Sequence, residues 1–255
     1  MFLSNSLSNS LHTIKIPKVI YMCNKKLDQK TIEYSNNWKK LNPDFIIKLS
    51  DETMKKQFII NEFPKIYADI FDFLEDGPIK ADFWRLCVLY KYGGVYSDVD
   101  IEPLIPLSNF IEPNIGFVTC SAYRRDLLFN PSFIIAPKEC VIIKKAIDWY
   151  IKKYQNKEMY YYWGWSIMQA FTDTFTLENY NNREGIYIYN PGSNNKKIKV
   201  QIIQEVPGEN HSDAHNIYKG MRVFNNRYKD WDHINHSFIP CENDENDEKD
   251  ETNNK

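Results

Sequence analysis

Apolar and polar positions in the first hundred residues alternate between two rhythms. Short runs rich in β-branched side chains, at Ile16–Met22, Phe45–Leu49 and Val95–Val99, read as strands. Between them lie segments with the 3.6-residue period of helices: Lys30–Leu41, which stops before Pro43, and the region of Met54–Ile60, which follows a Ser50-Asp51-Glu52 turn. Pro64–Leu74 follows, with Ile66, Ile70, Phe71 and Leu74 on one side, and then Ile79–Tyr92. Asp76-Gly77-Pro78 separates the last two helices, and Gly93-Gly94 is the expected stop signal of the fourth. Strands separated by helices of this length predict an α/β architecture: a mostly parallel central sheet with helices on both faces. Beyond Asp100 the rhythm is less regular. Gly116–Cys120, Ser132–Ala136, Ile186–Tyr189, Lys199–Glu205 and Met221–Phe224 read as further strands and Cys140–Tyr154 as an amphipathic helix, so a mixed C-terminal part is added to the parallel half.

Composition sets the limits of that unit. With 255 residues, 43% of them hydrophobic, the chain can fill one full-sized core. Residues 1–13 are Ser/Asn-rich and read as a flexible arm, 14–240 as the folded domain, and 241–255 as a disordered acidic tail. A formal net charge of -2 argues against a nucleic-acid partner. Five cysteines without a C-x-x-C pair indicate neither a disulfide framework nor a zinc knuckle and point to a reducing compartment. The opening MFLSNSLSNSLHT lacks the cationic and long apolar parts of a signal peptide. No run approaches the roughly 18–20 apolar residues of a membrane span. The expectation is a soluble, cytoplasmic protein with no integral membrane segment.

Chemistry concentrates in residues 77–104, GPIKADFWRLCVLYKYGGVYSDVDIEPL. Asp98 and Asp100 stand two apart at the end of a strand, where a period of two puts both carboxylates on one face and Val99 in the core. In α/β sheets ligands bind beyond the carboxyl ends of strands. Two carboxylates there repel each other unless a cation lies between them, and Mg²⁺ or Mn²⁺ suits hard oxygen ligands while keeping positions for diphosphate oxygens. A lone D-x-D is more often a solvated turn or a cap, and Pro103 stands where an EF-hand needs glycine. Upstream, Asp82 and Arg85 share one face of an otherwise apolar helix among Phe83, Trp84, Leu86, Val88 and Leu89. Charges in such a setting need a partner or a ligand; a mutual ion pair and a ligand site are both compatible with it.

The order K-A-D-F-W-R…Y-K-Y-G-G-V-Y-S-D-V-D from Lys80 to Asp100 resembles the DXD-containing sugar transferases, among them the yeast-type initiating α-mannosyltransferases and, more distantly, the glucosylating domains of clostridial toxins. The I-P-K-V-I-Y start at residues 16–21 and Leu41-Asn42-Pro43 extend the likeness over roughly the first 100 residues, and it is close to transferases of giant DNA viruses. The resemblance implies a GT-A-like fold, a nucleotide-diphosphate sugar donor, Mn²⁺ or Mg²⁺, and retention of anomeric configuration. It implies that Asp100 binds the metal and that Asp98 orients the donor and shares the metal through water. Asp82 and Arg85 would contact the transferred sugar, with Arg85 near the diphosphate. Tyr96 would lie beside the donor, and Ile20, Tyr21, Met22, Leu49 and Ser50 would border the nucleotide. Two features depart from the pattern: Asn24 falls where a base-stacking Trp is usual, and YYYWGWS at 160–166 replaces a T-G-P element.

The same resemblance points to a C-terminal H-x-x-x-S-W element, here His233-Ile234-Asn235-His236-Ser237-Phe238. His233 or His236 would complete the metal site, with Ser237 and Phe238 at the donor; the plain alternative is a surface histidine. His211 and His215 have i, i+4 spacing but lack the H-E-x-x-H glutamate and sit beside Gly208, so a polar loop is expected there. The aromatic cluster Tyr160–Trp165 reads as core before it reads as an acceptor cleft.

The function expected is glycosyl transfer to a glycan, protein or lipid acceptor, with the cation and Arg85 stabilising charge on the leaving diphosphate. Without an obvious carboxylate nucleophile, a front-side transfer is the expected route. Two alternatives stand beside it. A metal-dependent nucleotidyl- or phosphoryltransferase would want a phosphate-cradling loop, and Gly93-Gly94 leads into a strand instead. A non-catalytic carbohydrate-binding protein on a relic fold would not need Asp82, Arg85, Asp98 and Asp100 together.

Overall fold

The computed structural model describes residues 16–75, 77–123, 128–159, 166–192, 196–208 and 214–226. The N-terminal half follows the rhythm of the sequence: β1 (Val19–Cys23), α1 (Gln29–Leu41), β2 (Ile46–Ser50), α2 (Glu52–Glu62), α3 (Lys65–Phe73), α4 (Gly77–Tyr92) and β3 (Gly94–Ser97). The helix starts are fixed by side chains. Asp28 accepts from the Thr31 N–H at 2.7 Å and Asp51 from the Met54 N–H at 2.8 Å, each satisfying an amide that the helix leaves unpaired. Pro78 sits in the first turn of α4, where its missing N–H costs nothing, so the expected break is a helix start. At the other end, the Gly93 N–H donates to the Leu89 carbonyl at 2.8 Å. Gly93 and Gly94 have φ of 66° and 118°, and a Cβ at Gly93 would meet Lys138 N at 2.4 Å. The chain can turn from α4 directly into β3 only without side chains there.

The second half adds β4 (Glu102–Pro103), β5 (Phe117–Ser121), β6 (Phe129–Ala136), α5 (Val141–Gln155), α6 (Ser166–Thr174), β7 (Leu177–Glu178), β8 (Gly185–Tyr189), β9 (Ile198–Val206), β10 (His215–Tyr218) and β11 (Met221–Asn225). His215 thus opens a strand, not a loop; His211 lies outside the described residues. The strands follow the order β2-β1-β3-β6-β5-β9-β10-β11-β4, with β7 and β8 attached to β9. The parallel pairs expected from the helical crossovers are β1 with β2 and β1 with β3; β5 with β9 is also parallel. Elsewhere hairpins and returning strands make antiparallel pairs, so the parallel character belongs to the N-terminal half and the remainder is mixed. β4, next after β3 in the chain, lies at the far end of the strand order, so the sheet curls to bring its edge back towards β3.

Two cores form on the two faces of this sheet. Tyr21, Cys23 and Tyr96 point into a layer of helices, with Phe71, Phe83, Trp84, Leu86, Ile143, Ile147, Tyr150 and Phe171 all buried there. Ile20, Met22, Val95 and Phe133 point the other way, into the curl, with Trp38 of α1, Ile101, Tyr218 and Phe224. The period-two alternation along β1 and β3 thus sorts residues between two compartments. Among the described residues no helix is long and apolar enough to cross a membrane, and Cys23, Cys87, Cys120 and Cys140 are buried free thiols.

Candidate active site

The expected charged pair on α4 forms. Arg85 and Asp82 are 5% and 8% exposed, and Arg85 Nη2 lies 2.7 Å from Asp82 Oδ1. The same Nη2 lies 2.8 Å from Asp98 Oδ1. Nη1 donates to the Pro131 carbonyl at 2.7 Å. The guanidinium carbon also sits 4.3 Å from the centre of the Tyr96 ring. One buried cation thus joins α4, the end of β3 and β6, and only a planar guanidinium offers donors in all these directions. Its Nε is buried and has no hydrogen-bond partner among the described residues.

Asp98 follows β3 directly. Its N–H donates to the Ser132 carbonyl at 2.8 Å, which continues the β3–β6 pairing one step beyond the strand. Its Oδ1 accepts from the Tyr96 hydroxyl at 2.7 Å as well as facing Arg85. Behind Tyr96, the Cys23 sulfur lies 3.7 Å from the phenol oxygen. Burial pushes the Asp98 carboxyl upward from the ordinary carboxylate range, with Arg85 and then Tyr96 opposing it. Burial works against the Arg85 charge too, but Asp98, Tyr96 and Asp82 more than offset it and hold the guanidinium protonated. Burial raises both Tyr96 and Cys23, which stay neutral beside the ion pair.

The extended D-x-D expected from the sequence is corrected here. The Ile101 N–H donates to the Asp98 carbonyl at 3.2 Å, which closes a turn over 98–101, so strand alternation does not set the relation of the two carboxylates. Val99 still points into the core at 7% exposed, and Asp98 and Asp100 are both partly exposed. Tyr96, expected beside the donor, is 1% exposed; its place is beneath Asp98, holding that carboxylate. Of the residues expected at the nucleotide, Ile20 and Met22 have wholly buried side chains, and Tyr21 packs under the helices. Leu49 and Ser50 are partly exposed at the carboxyl end of β2, where the Ser50 carbonyl accepts from the Asn24 N–H at 3.2 Å. His233, His236, Ser237, Phe238 and the Tyr160–Trp165 cluster lie outside the described residues.

The donor set suits a hard divalent cation. Both close contacts of Asp98 fall on Oδ1, leaving Oδ2 for another task, and Asp100 adds a second, partly exposed carboxylate. Among the described residues no group of three or more His, Cys, Asp or Glu side chains is arranged to hold a metal ion. Mg²⁺ and Mn²⁺ sites with one or two carboxylates are completed by substrate phosphates and water, so two are enough for that chemistry. The supports invisible to residue patterns are the Pro131 and Ser132 carbonyls, because backbone acceptors carry no sequence signal.

Part of the chain is similar to known proteins. Residues 28–117 match the glycosyltransferase sugar-binding region containing the DXD motif. The initiation-specific alpha-1,6-mannosyltransferase of Schizosaccharomyces pombe is 31% identical over 102 residues, 38% of this chain and 26% of that protein. The mannosyl phosphorylinositol ceramide synthase CSH1 of Saccharomyces cerevisiae is 28% identical over 149 residues, 53% of this chain and 38% of that one. An uncharacterized glycosyltransferase, L373, of Acanthamoeba polyphaga mimivirus is 30% identical over 98 residues, 38% of each. The chain thus spans well under half the length of these relatives. Among solved structures, PaToxG glycosyltransferase superposes with a TM-score of 0.47 at 21% identity, covering 63% of this chain and 70% of that one. The stretch matched by that family, residues 28–117, holds Asp82, Arg85, Asp98 and Asp100.

Proposed function

We propose that the protein is a metal-dependent, retaining glycosyltransferase on a GT-A-like scaffold. It moves a hexose or N-acetylhexosamine from a UDP- or GDP-sugar to a glycan, protein or lipid acceptor. The observation that carries this reading is the buried Arg85 that grips Asp98 from below while Asp98 and Asp100 remain partly exposed on the turn after β3. The names of two relatives make mannose the first sugar to test, and the ceramide synthase keeps a lipid acceptor in view.

Asp98 and Asp100 would hold Mn²⁺ or Mg²⁺, and His233 or His236 with Ser237 and Phe238 would close the site. Bound there, the cation would supply a Lewis acid against the diphosphate charge. Arg85, fixed on three sides, adds a positive charge that needs no reorganisation as the leaving group charges up. The nucleotide would lie beyond the carboxyl ends of β1 and β2, near Asn24, Leu49 and Ser50. The bond from sugar C1 to the diphosphate oxygen breaks as the acceptor oxygen bonds to C1 from the same face. The acceptor proton passes to the departing phosphate oxygen.

A panel of UDP- and GDP-sugars with Mn²⁺ tests the reading. Nucleoside diphosphate should be released from at least one donor, and Asp100→Ala should lower that release by about 100-fold or more, as loss of a principal electrostatic group does. Release that survives Asp100→Ala would sink the metal assignment. Inverted product in the anomeric proton spectrum would overturn the same-face transfer.

A further inference from the structure

A second buried carboxylate stands at the same end of the sheet. Glu205 of β9 is 6% exposed, and both its carboxylate oxygens accept hydrogen bonds. Oε2 accepts from the Tyr123 N–H at 3.1 Å, and Oε1 accepts from Asn130 Nδ2 at 2.9 Å and from Asn226 Nδ2 at 2.6 Å. Tyr123 follows β5 and Asn130 lies near the start of β6, so one carboxylate ties together both limbs of the β5–β6 connection and the end of β11.

The ladder explains why a tie is needed there. Between β5 and β6 the pairing jumps from Thr119 with Ile134 to Cys120 with Asn130, so Pro131, Ser132 and Phe133 have no place in the β5 ladder. Their position depends on other contacts. Asn130 brackets them, because its Oδ1 accepts from the Ser132 N–H at 3.3 Å while its Nδ2 is held by Glu205. The bulged stretch carries the two carbonyls that seat the active-site charges: Pro131 O accepts from Arg85 and Ser132 O from the Asp98 N–H. A continuous run of hydrogen bonds thus joins Glu205, Asn130, the 130–132 backbone, and both Arg85 and Asp98.

We infer that Glu205 is a positioning residue of the transfer site, acting through Asn130 on the carbonyls that hold Arg85 and Asp98. The inference rests on the reading of that site as a glycosyl-transfer centre. Glu205 touches neither Arg85 nor Asp98 in this network; it sets where their acceptors stand. A shift of these groups weakens charge stabilisation in the transition state more than donor binding, so the loss falls on kcat.

The test compares Glu205→Gln, Asn130→Ala and the double variant with the wild type, well below each melting temperature. Each single change should lower kcat for nucleoside diphosphate release about 10-fold with donor KM within about 3-fold, and the double variant should lose no more than about 2-fold beyond either single, as for two members of one chain of contacts. A melting temperature that falls while kcat stays unchanged would reduce Glu205 to a structural tie, and losses that multiply in the double variant would break the route through Asn130. A second readout needs no activity: the Arg85 Nε–H resonance, assigned by its absence in Arg85→Lys, should shift in both single variants while the Trp149 indole N–H stays in place. An unmoved Arg85 signal overturns the inference. A shifted Arg85 signal in a protein that releases no nucleoside diphosphate from any donor would refute the transferase reading and leave the coupling standing.

Discussion

Asp98 and Glu205 are carboxylates at one end of the same sheet, and the fold treats them differently. Asp98 concentrates its contacts on one oxygen, where a guanidinium and a phenol meet it, and keeps 29% of its side chain exposed. Glu205 spreads its contacts over both oxygens, to one backbone and two carboxamide N–H groups, and is closed off from solvent. The first arrangement leaves acceptor capacity facing outward, as a ligand site requires. The second uses that capacity internally, as a clamp does. A strong counter-charge lets Asp98 stay partly exposed yet fixed, whereas Glu205 is gripped by N–H groups of Tyr123, Asn130 and Asn226, from three separate segments.

The difference can be broken by removing the charge that supports the first carboxylate. Arg85→Ala should destabilise the fold by about 3–5 kcal/mol in urea unfolding, because it strands Asp82 and Asp98 without their cation. A loss below about 1 kcal/mol would show that the ion pair does not hold the site together. Tyr96→Phe is a finer cut. Losing a hydroxyl bonded to a charged group should cost about 1.5–3 kcal/mol and reduce donor turnover with it, and an unaffected variant would remove Tyr96 from the support of Asp98.

Alkaline pH probes the surroundings of the first carboxylate. Arg85 and Asp98 sit over the phenol of Tyr96. Tyr21, paired across the ladder with Tyr96, is pushed up to about 12 by burial and then by Tyr92, and Tyr67 in the same helical core reaches about 12 through burial and then Cys87. Phenols raised in the folded state release protons first from the unfolded chain. Their stabilisation is therefore complete below pH 10 and is lost as pH climbs from 10 towards 12. Phenolate absorbance should lag behind that of the denatured protein over this range, and coincident titration curves would contradict the burial. The smallest effect belongs to an exposed control: Lys144→Ala, which breaks an i, i+4 pair with Asp148, should change stability by no more than about 0.5 kcal/mol.

Much of the N-terminal half was legible in the sequence because its signals are local. Asp28 and Asp51 cap helices through their own side chains, Gly93-Gly94 is required by backbone angle, and the Asp82–Arg85 pair follows from three-residue spacing on an apolar helix. Legibility fails where long-range pairing decides. β4 is two residues long and exists through β11, and β10 is a strand because β9 and β11 flank it. α6 follows an aromatic stretch whose composition masks its start. At the site itself, Asp98 and Arg85 could be named from their motif. The turn that replaces an extended D-x-D, the buried post of Tyr96, and the roles of Pro131, Ser132 and Glu205 come from strands that meet only in the folded chain.

The curl of the sheet has a mechanical consequence for the turn that carries Asp98 and Asp100. Only residues 98–101 bridge from β3 in the middle of the strand order to β4 at its edge. A tether of that length reaches no more than about 17 Å when fully stretched, so the triplet that carries the two partly exposed carboxylates is also the drawstring that keeps the sheet gathered. Lengthening it by even a residue or two would slacken the purse and part the two acids' neighbourhoods, so this stretch should tolerate insertions far less well than an exposed turn of equal size.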